Sequence, residues 1–204
     1  YNLASPRAFA EGTEKSLELL DEARGLAQGV GDRELIGRVH WMKGTVYYLT
    51  ELAQVDDLEA ALAEFRKAAE YLAGTTASFD IGWTERMIAI VLLGLGRPDE
   101  AEGHLRGGLE RFVEAGDISA LPLHISDFAQ LALVRNQPER AILLAGAAAG
   151  LQAVSETRLL NLVANEIVGL QEAIDTVGTE QAEKLAAEGQ SLGIDQVLAL
   201  VMDQ

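Results

Sequence analysis

Apolar residues recur along most of this chain at steps of three and four, the spacing that keeps one face of an α-helix buried. Leu58, Leu62, Phe65, Ala69 and Leu72 form one such stripe. Glycine, proline, asparagine and aspartate stand between the stripes, where they end one helix or begin the next. This punctuation predicts helices over 6–28, 33–53, 58–73, 79–95, 98–114, 118–135, 138–153, 157–175, 179–189 and 194–203. Ser5-Pro6 opens the first of them, a serine N-cap followed by a proline whose missing N–H costs nothing there. No window alternates apolar and polar residues between hairpin turns, so no strand is predicted. The helix over 79–95 is apolar on more than one side, through Ile88, Ile90, Val91, Leu92, Leu93 and Leu95. Such a helix belongs between neighbours, as the inner helix of a stacked array does.

The punctuation itself repeats. Asp56–Ala61, Gly96–Ala101 and Asn136–Ala141 align, their closing alanines falling at 61, 101 and 141, a constant spacing of 40. The first column (Asp56, Gly96, Asn136) is a turn former able to take the left-handed conformation that ends a helix. The third (Leu58, Pro98, Pro138) is proline twice, as suits the first residue of the next helix. An acid always follows, beside the positive end of the helix dipole. The alanine lets two helices approach, and Phe65, Leu105 and Ala145 recur at the same period. A second mark, Gly31-Asp32, Ala73-Gly74 and Gly116-Asp117, falls near the other end of each unit. Each unit therefore holds two antiparallel helices. The chain divides into a half repeat over 6–31, repeats over 32–74, 75–116 and 117–153, and a C-terminal cap over 154–204, all within one domain.

A helix pair turned by Gly-x-Pro-x-x-Ala with a period near 40 resembles the tetratricopeptide superfamily in its longer-helix form. Pro138–Ala148 is similar to a segment common in the C-terminal regions of large bacterial signalling regulators. These include LuxR-type and MalT-like transcriptional activators and class III adenylate/guanylate cyclases with an ATPase module. Glu188–Ala199 looks like their last helix. The resemblance implies an all-α fold, a right-handed α-solenoid of tetratricopeptide-like hairpins with a C-terminal helical cap. It also implies a regulatory role, with catalytic or DNA-binding domains elsewhere in a longer protein. The tryptophan, glycine and tyrosine of the first tetratricopeptide helix survive only as Trp41, Gly44, Tyr47 and Tyr48, with Trp83 in the next unit. Peptide-binding residues of the family are therefore not carried over.

Composition narrows the partners. The 204 residues are 49% apolar, enough for a sizeable core, and 32 acids against 16 bases leave a formal charge of −16. That charge repels phosphate backbones and anionic lipid heads, so neither nucleic acid nor membrane is an expected direct partner. From Ala141 onward there are nine acids and only Arg158 and Lys184 as bases. The apolar run Met87–Leu95 is far shorter than the roughly 20 residues needed to cross a bilayer. The chain has no cysteine, which removes disulfides and thiolate metal sites. It opens at Tyr1 without a signal pattern, which fits a cytoplasmic piece of a longer protein.

Catalytic candidates are few. His40, His104 and His124 stand apart, in neither a His-x-x-x-His nor a His-Glu-x-x-His pattern, so no metal site is expected. Paired carboxylates such as Asp56/Asp57 and Asp99/Glu100 lie at helix starts, where capping explains them. Gly25, Gly29 and Gly31 do not spell a phosphate loop, Gly107-Gly108 reads as a close-packing site within a helix, and no nucleophile elbow exists. Neither cofactor nor enzymatic activity is expected.

One stripe invites a binding role. Glu34, Arg38, Trp41, Thr45 and Tyr48 share a face of the helix over 33–53, mixing aromatic and charged groups. Trp83 and Arg86 continue it on the next inner helix, and His124 and Asp127 on the one after. These nine residues form the expected groove for a peptide or for another domain of the parent chain. Core packing of Trp41 and Tyr48 is the competing assignment. The class alternatives are a small-molecule sensor enclosing an apolar effector and, behind it, a helical enzyme. The small face Ala145–Gly150 calls for close helix contact, either with the terminal helices or across a homodimer seam. The apolar stripe Ile194, Val197, Leu198, Val201 and Met202 likewise needs covering.

Overall fold

The computed structural model describes residues 12–49, 55–155 and 167–202, and among them helices and turns are the whole of the regular structure. The expected cap at Ser5-Pro6, the first residues of the helix over 6–28, and the predicted stretches 50–53 and 157–166 lie outside the described residues. The helices are α1 Thr13–Val30, α2 Arg33–Tyr48, α3 Val55–Leu72, α4 Ser78–Gly94 and α5 Pro98–Ala115, then α6 Leu121–Val134, α7 Pro138–Ser155, α8 Leu170–Val177, α9 Thr179–Gln190 and α10 Ile194–Met202. None is long and apolar enough to cross a membrane. The chain divides into two compact units, Tyr1–Arg97 and Pro98–Gln204, with the boundary inside the repeat expected over 75–116.

The turns explain the agreement between predicted and observed boundaries. Gly96 (φ 70) and Asn136 (φ 57) both take the left-handed conformation at the same place in the repeat. In each, two amides return to the helix just ended: Gly96 to Leu93 (3.0 Å) and Arg97 to Leu92 (2.9 Å), Asn136 to Leu133 (2.9 Å) and Gln137 to Ala132 (2.8 Å). This is the Schellman closure, which satisfies carbonyls that the helix leaves open. Gly31 and Gly116 close α1 and α5 in the same way, and Asp32 then caps α2 by accepting from the Leu35 amide at 2.9 Å.

Three boundaries differ from expectation. Gly12, at φ 92, is not helical although it falls within the helix predicted over 6–28, and α1 starts at Thr13. Asp56 is not a turn residue, because α3 begins at Val55 and places it in the first turn. Asp117 accepts from the amide and hydroxyl of Ser119 (3.0 and 2.6 Å), and this local turn delays α6 to Leu121.

In the first unit α2 packs on α1, α3 and α4, and α3 on α4. Leu20 of α1 meets Val39, Met42 and Val46 of α2. The buried stripe of α3 is Ala61, Leu62, Phe65, Ala68 and Leu72; Leu58 and Ala69, expected within it, are half-buried. Gly44 of α2 lies so close to the Phe65 ring that a methyl group there would sit 2.8 Å from it.

In the second unit α6 packs on α5 and α7, and α7 also meets α8 and α9. The closing alanines of the repeat, Ala61, Ala101 and Ala141, are all fully buried. The small face of α7 is covered by α9 of the same chain. A methyl group on Gly150 would sit 2.6 Å from the Gln190 carbonyl, one on Gly146 would overlap the Ala186 carbonyl, and one on Gly189 would overlap that of Leu143. Of the Gly107-Gly108 pair, Gly107 has open space where its side chain would be, whereas Gly108 is buried. The stripe of α10 is covered in part: Val197 and Val201 are fully buried, while Ile194, Leu198 and Met202 are half-buried. Arg106 donates to the Met202 carbonyl (2.7 Å) and Arg140 to that of Leu200 (3.2 Å), placing cations at the negative end of this helix.

Candidate functional site

Two polar arrangements stand out in the first unit. One is internal. His40 of α2 is held by Glu64 of α3, Nδ1 to Oε2 at 2.6 Å, and its ring stacks on Tyr71 with centroids 5.5 Å apart. With Glu64 ionised, Nδ1 carries the proton and donates it. Lys67 donates to the other Glu64 oxygen at 2.8 Å, and Lys43 to Asp21 of α1 at 3.1 Å. Burial alone would raise the Glu64 pKa, but hydrogen bonds from His40 and Lys67 and the charge of Lys43 outweigh it, lowering it from 4.5 to about 2. No short motif marks this cluster, since 24 residues separate His40 from its partner. Its exposures, 4% for His40 and 8% for Glu64, leave no room for a substrate.

A pH dependence follows from this cluster. Because Glu64 has a lower pKa folded than unfolded, its contribution is complete above about pH 4.5 and fades as pH falls toward 2. Allowing for partial solvation, about 2 kcal/mol is at stake. Urea unfolding from pH 5 down to pH 2.5 is expected to show this loss, and Glu64→Gln should remove that part of the slope. A variant with the same acid limb as the parent would refute the assignment.

The other arrangement opens to solvent. Arg38, Trp41 and Met42 of α2, Leu72 of α3, and Phe79, Asp80, Trp83 and Thr84 of α4 line a cleft of about 310 Å3, open along one side. Helical geometry builds its walls: residues 38, 41 and 42 lie on one face of α2, and 79, 80, 83 and 84 on one face of α4. Arg38 crosses the space, its Nε and Nη2 donating to Asp80 Oδ2 at 3.0 and 2.7 Å. Glu34, one turn earlier, stands 3.9 Å from the same guanidinium. Phe79 lies against Trp83 (centroids 6.0 Å apart) and is 56% exposed. Trp41 meets Phe65 edge-on at 6.3 Å. Its indole Nε1 is shielded from water and has no acceptor among the described residues.

The nine expected groove residues separate. Arg38, Trp41 and Trp83 line the cleft, with Glu34 beside Arg38. Arg86 is 2% exposed and lies over the Trp83 ring, 5.5 Å from its centroid, so it supports a wall instead of lining the space. Thr45 is buried and donates to the Trp41 carbonyl at 3.0 Å, an internal bond of α2. Tyr48, half-buried near the end of α2, is not among the lining residues. His124 and Asp127 belong to the interior of the second unit, at 0% and 4% exposure, with His124 edge-on to Phe112 at 5.1 Å. They offer no ligand face, because α6 is enclosed nearly all round. Met42, Leu72, Phe79, Asp80 and Thr84 were not singled out in the sequence. Asp80 had a signal: it follows Arg38 by 42 residues, as Trp83 follows Trp41, close to one repeat.

In the second unit, Glu102 is shared by Arg106 (2.8 Å) and Arg135 (2.7 Å), whose hydrogen bonds hold its carboxyl below the usual range. A depression of about 330 Å3 among α6, α7 and α8 is lined by Gln130, Leu133, Glu172 and Thr176 among others, and has no aromatic wall. His104 is half-buried on α5. Among the described residues no three His, Asp or Glu side chains gather as a metal ion would need.

Comparison of the chain with protein-family models, with curated proteins and with solved structures finds no match.

Proposed function

We propose that this chain is a non-catalytic interaction module, a right-handed α-solenoid of tetratricopeptide-like hairpins within a larger cytoplasmic bacterial regulator, and that it captures a peptide segment of a partner or of its own parent protein. The observation that carries this reading is the aromatic cleft between α2 and α4, half-open, with Trp41, Trp83 and exposed Phe79 around a charged pair. Aromatic side chains flanked by arginine are the groups that dominate binding at protein interfaces. The regulator context rests on the 40-residue repeat and the Pro138–Ala148 resemblance. The His40–Glu64 pair, which has the form of an acid–base dyad, is closed off from solvent, which favours a structural role over catalysis.

A small apolar effector is the second reading, favoured by the cleft volume of about 310 Å3, at the lower end of ligand pockets. The open side favours the peptide, which needs only one face enclosed. Display of a random peptide library against the full chain tests the proposal. A recurrent sequence pattern should emerge, and its members should bind the Arg38→Ala/Trp41→Ala double variant at least about tenfold more weakly. Absence of enrichment, or equal binding to the variant, would remove the cleft from consideration.

A further inference from the structure

Resting on the cleft as a peptide-capture site, we infer that the segment it takes is basic and apolar: one large apolar anchor residue with a lysine or arginine beside it. The anchor follows from the walls. Trp41, Met42, Leu72, Phe79 and Trp83 enclose about 310 Å3, room for one large side chain with its neighbours left outside. Phe79, 56% exposed, is an aromatic surface that such an anchor would cover.

The sign of the flanking charge follows from how Asp80 is used. Both Arg38 contacts fall on Oδ2, and among the described residues nothing donates to Oδ1. A carboxylate can accept roughly four hydrogen bonds, so half of Asp80 stays unused. Its side chain is 25% exposed, within reach of solvent and of a ligand cation. An anion would meet the opposite situation. It would have to share the Arg38 guanidinium with Asp80, with the Glu34 carboxylate 3.9 Å from the same group. Arg86, the other cation nearby, lies over the Trp83 indole at 2% exposure and cannot serve an incoming anion. Two carboxylates against one accessible guanidinium favour a cation. The effect is that of a partly exposed ion pair, about three- to tenfold in affinity.

Fluorescence anisotropy with the full chain and four labelled, end-blocked peptides tests this. Three share a central tryptophan anchor flanked by lysine, serine or glutamate; the fourth keeps the lysines and replaces the anchor by alanine. The lysine-flanked peptide should bind about three- to tenfold tighter than the serine one, the glutamate one should be weakest, and the anchorless one should not bind. Asp80→Asn should erase the lysine preference, bringing the lysine and serine peptides to equal affinity. Asp80→Glu should retain the preference, and added salt should shrink it. Equal affinities for all three anchored peptides, each weakened by Phe79→Ala, would overturn the cation preference and leave peptide capture standing. If no peptide binds, or binding ignores both Phe79→Ala and Trp83→Ala, both readings fall. Displacement of the lysine peptide by phenethylamine at equal concentration would overturn the peptide as occupant in favour of a free amine.

Discussion

Gly189→Ala is expected to destabilise the second unit by about 3 kcal/mol or more, although alanine is the better helix former at almost any other position. Gly189 lies in α9 where it presses on α7. Its added methyl would overlap the Leu143 carbonyl and lie 2.8 Å from the Ala147 amide nitrogen. Both are backbone atoms of a helix, which cannot swing aside as a side chain can. The two helices must separate, and the loss spreads to Gly146 and Gly150, which face Ala186 and Gln190 in the same seam. Gly103→Ala is the control. It sits in α5 with nothing within 4 Å of the added methyl and should stabilise by about 0.5–1 kcal/mol. Urea midpoints moving in opposite directions for the two variants would bear this out. A Gly189→Ala protein as stable as the parent would show that α7 and α9 do not meet as described.

Phe65→Ala is expected to cost the first unit about 3–5 kcal/mol, the range for deleting a fully buried aromatic ring. Phe65 is 0% exposed and touches α2 at two places, Trp41 edge-on and Gly44 under the ring. The second contact makes the site hard to repair: with no side chain at 44, α2 has nothing to extend into the space at that point. Trp41 loses a supporting neighbour as well, so capture by the cleft should weaken along with stability. Hydrogen exchange should localise the damage to α2 and α3. Phe65→Leu, which keeps most of the volume, should recover over half of the loss. Equal destabilisation by alanine and leucine would argue against packing as the cause.

Much of the fold was legible because turn chemistry is local. Gly96, Asn136 and Gly116 end their helices where the sequence places them, since a left-handed residue is needed there and few residue types supply it. The alanine column is buried as expected because helix contact at that depth admits only a small side chain. The cleft was half legible. Trp41 and Trp83 are one repeat apart, so a repeat that brings α2 beside α4 brings them to one space. Their polar partners depend on how far each helix is rotated about its axis, which spacing alone does not set. For that reason Thr45 and Arg86 turned inward, and Asp80 proved to be the partner of Arg38. The His40–Glu64 pair and the α7–α9 seam rest on contacts between helices that no short motif encodes. Gly189 is the last residue of the helix predicted over 179–189, and it proves to be a contact point of α9 with α7.

The hydrogen bonds from Arg106 and Arg140 to the end of α10 also bear on the order in which the chain assembles. Most helix contacts join sequence neighbours, α1 with α2, α2 with α3 and α3 with α4 in the first unit, and α5 with α6 and α6 with α7 in the second. Such hairpins close short loops at small entropic expense and form early. Arg106 and Met202 are 96 residues apart, and Arg140 and Leu200 are 60. Docking of α10 therefore waits until the surface of α5 and α7 already exists, so the second unit closes through its most distant contacts in sequence.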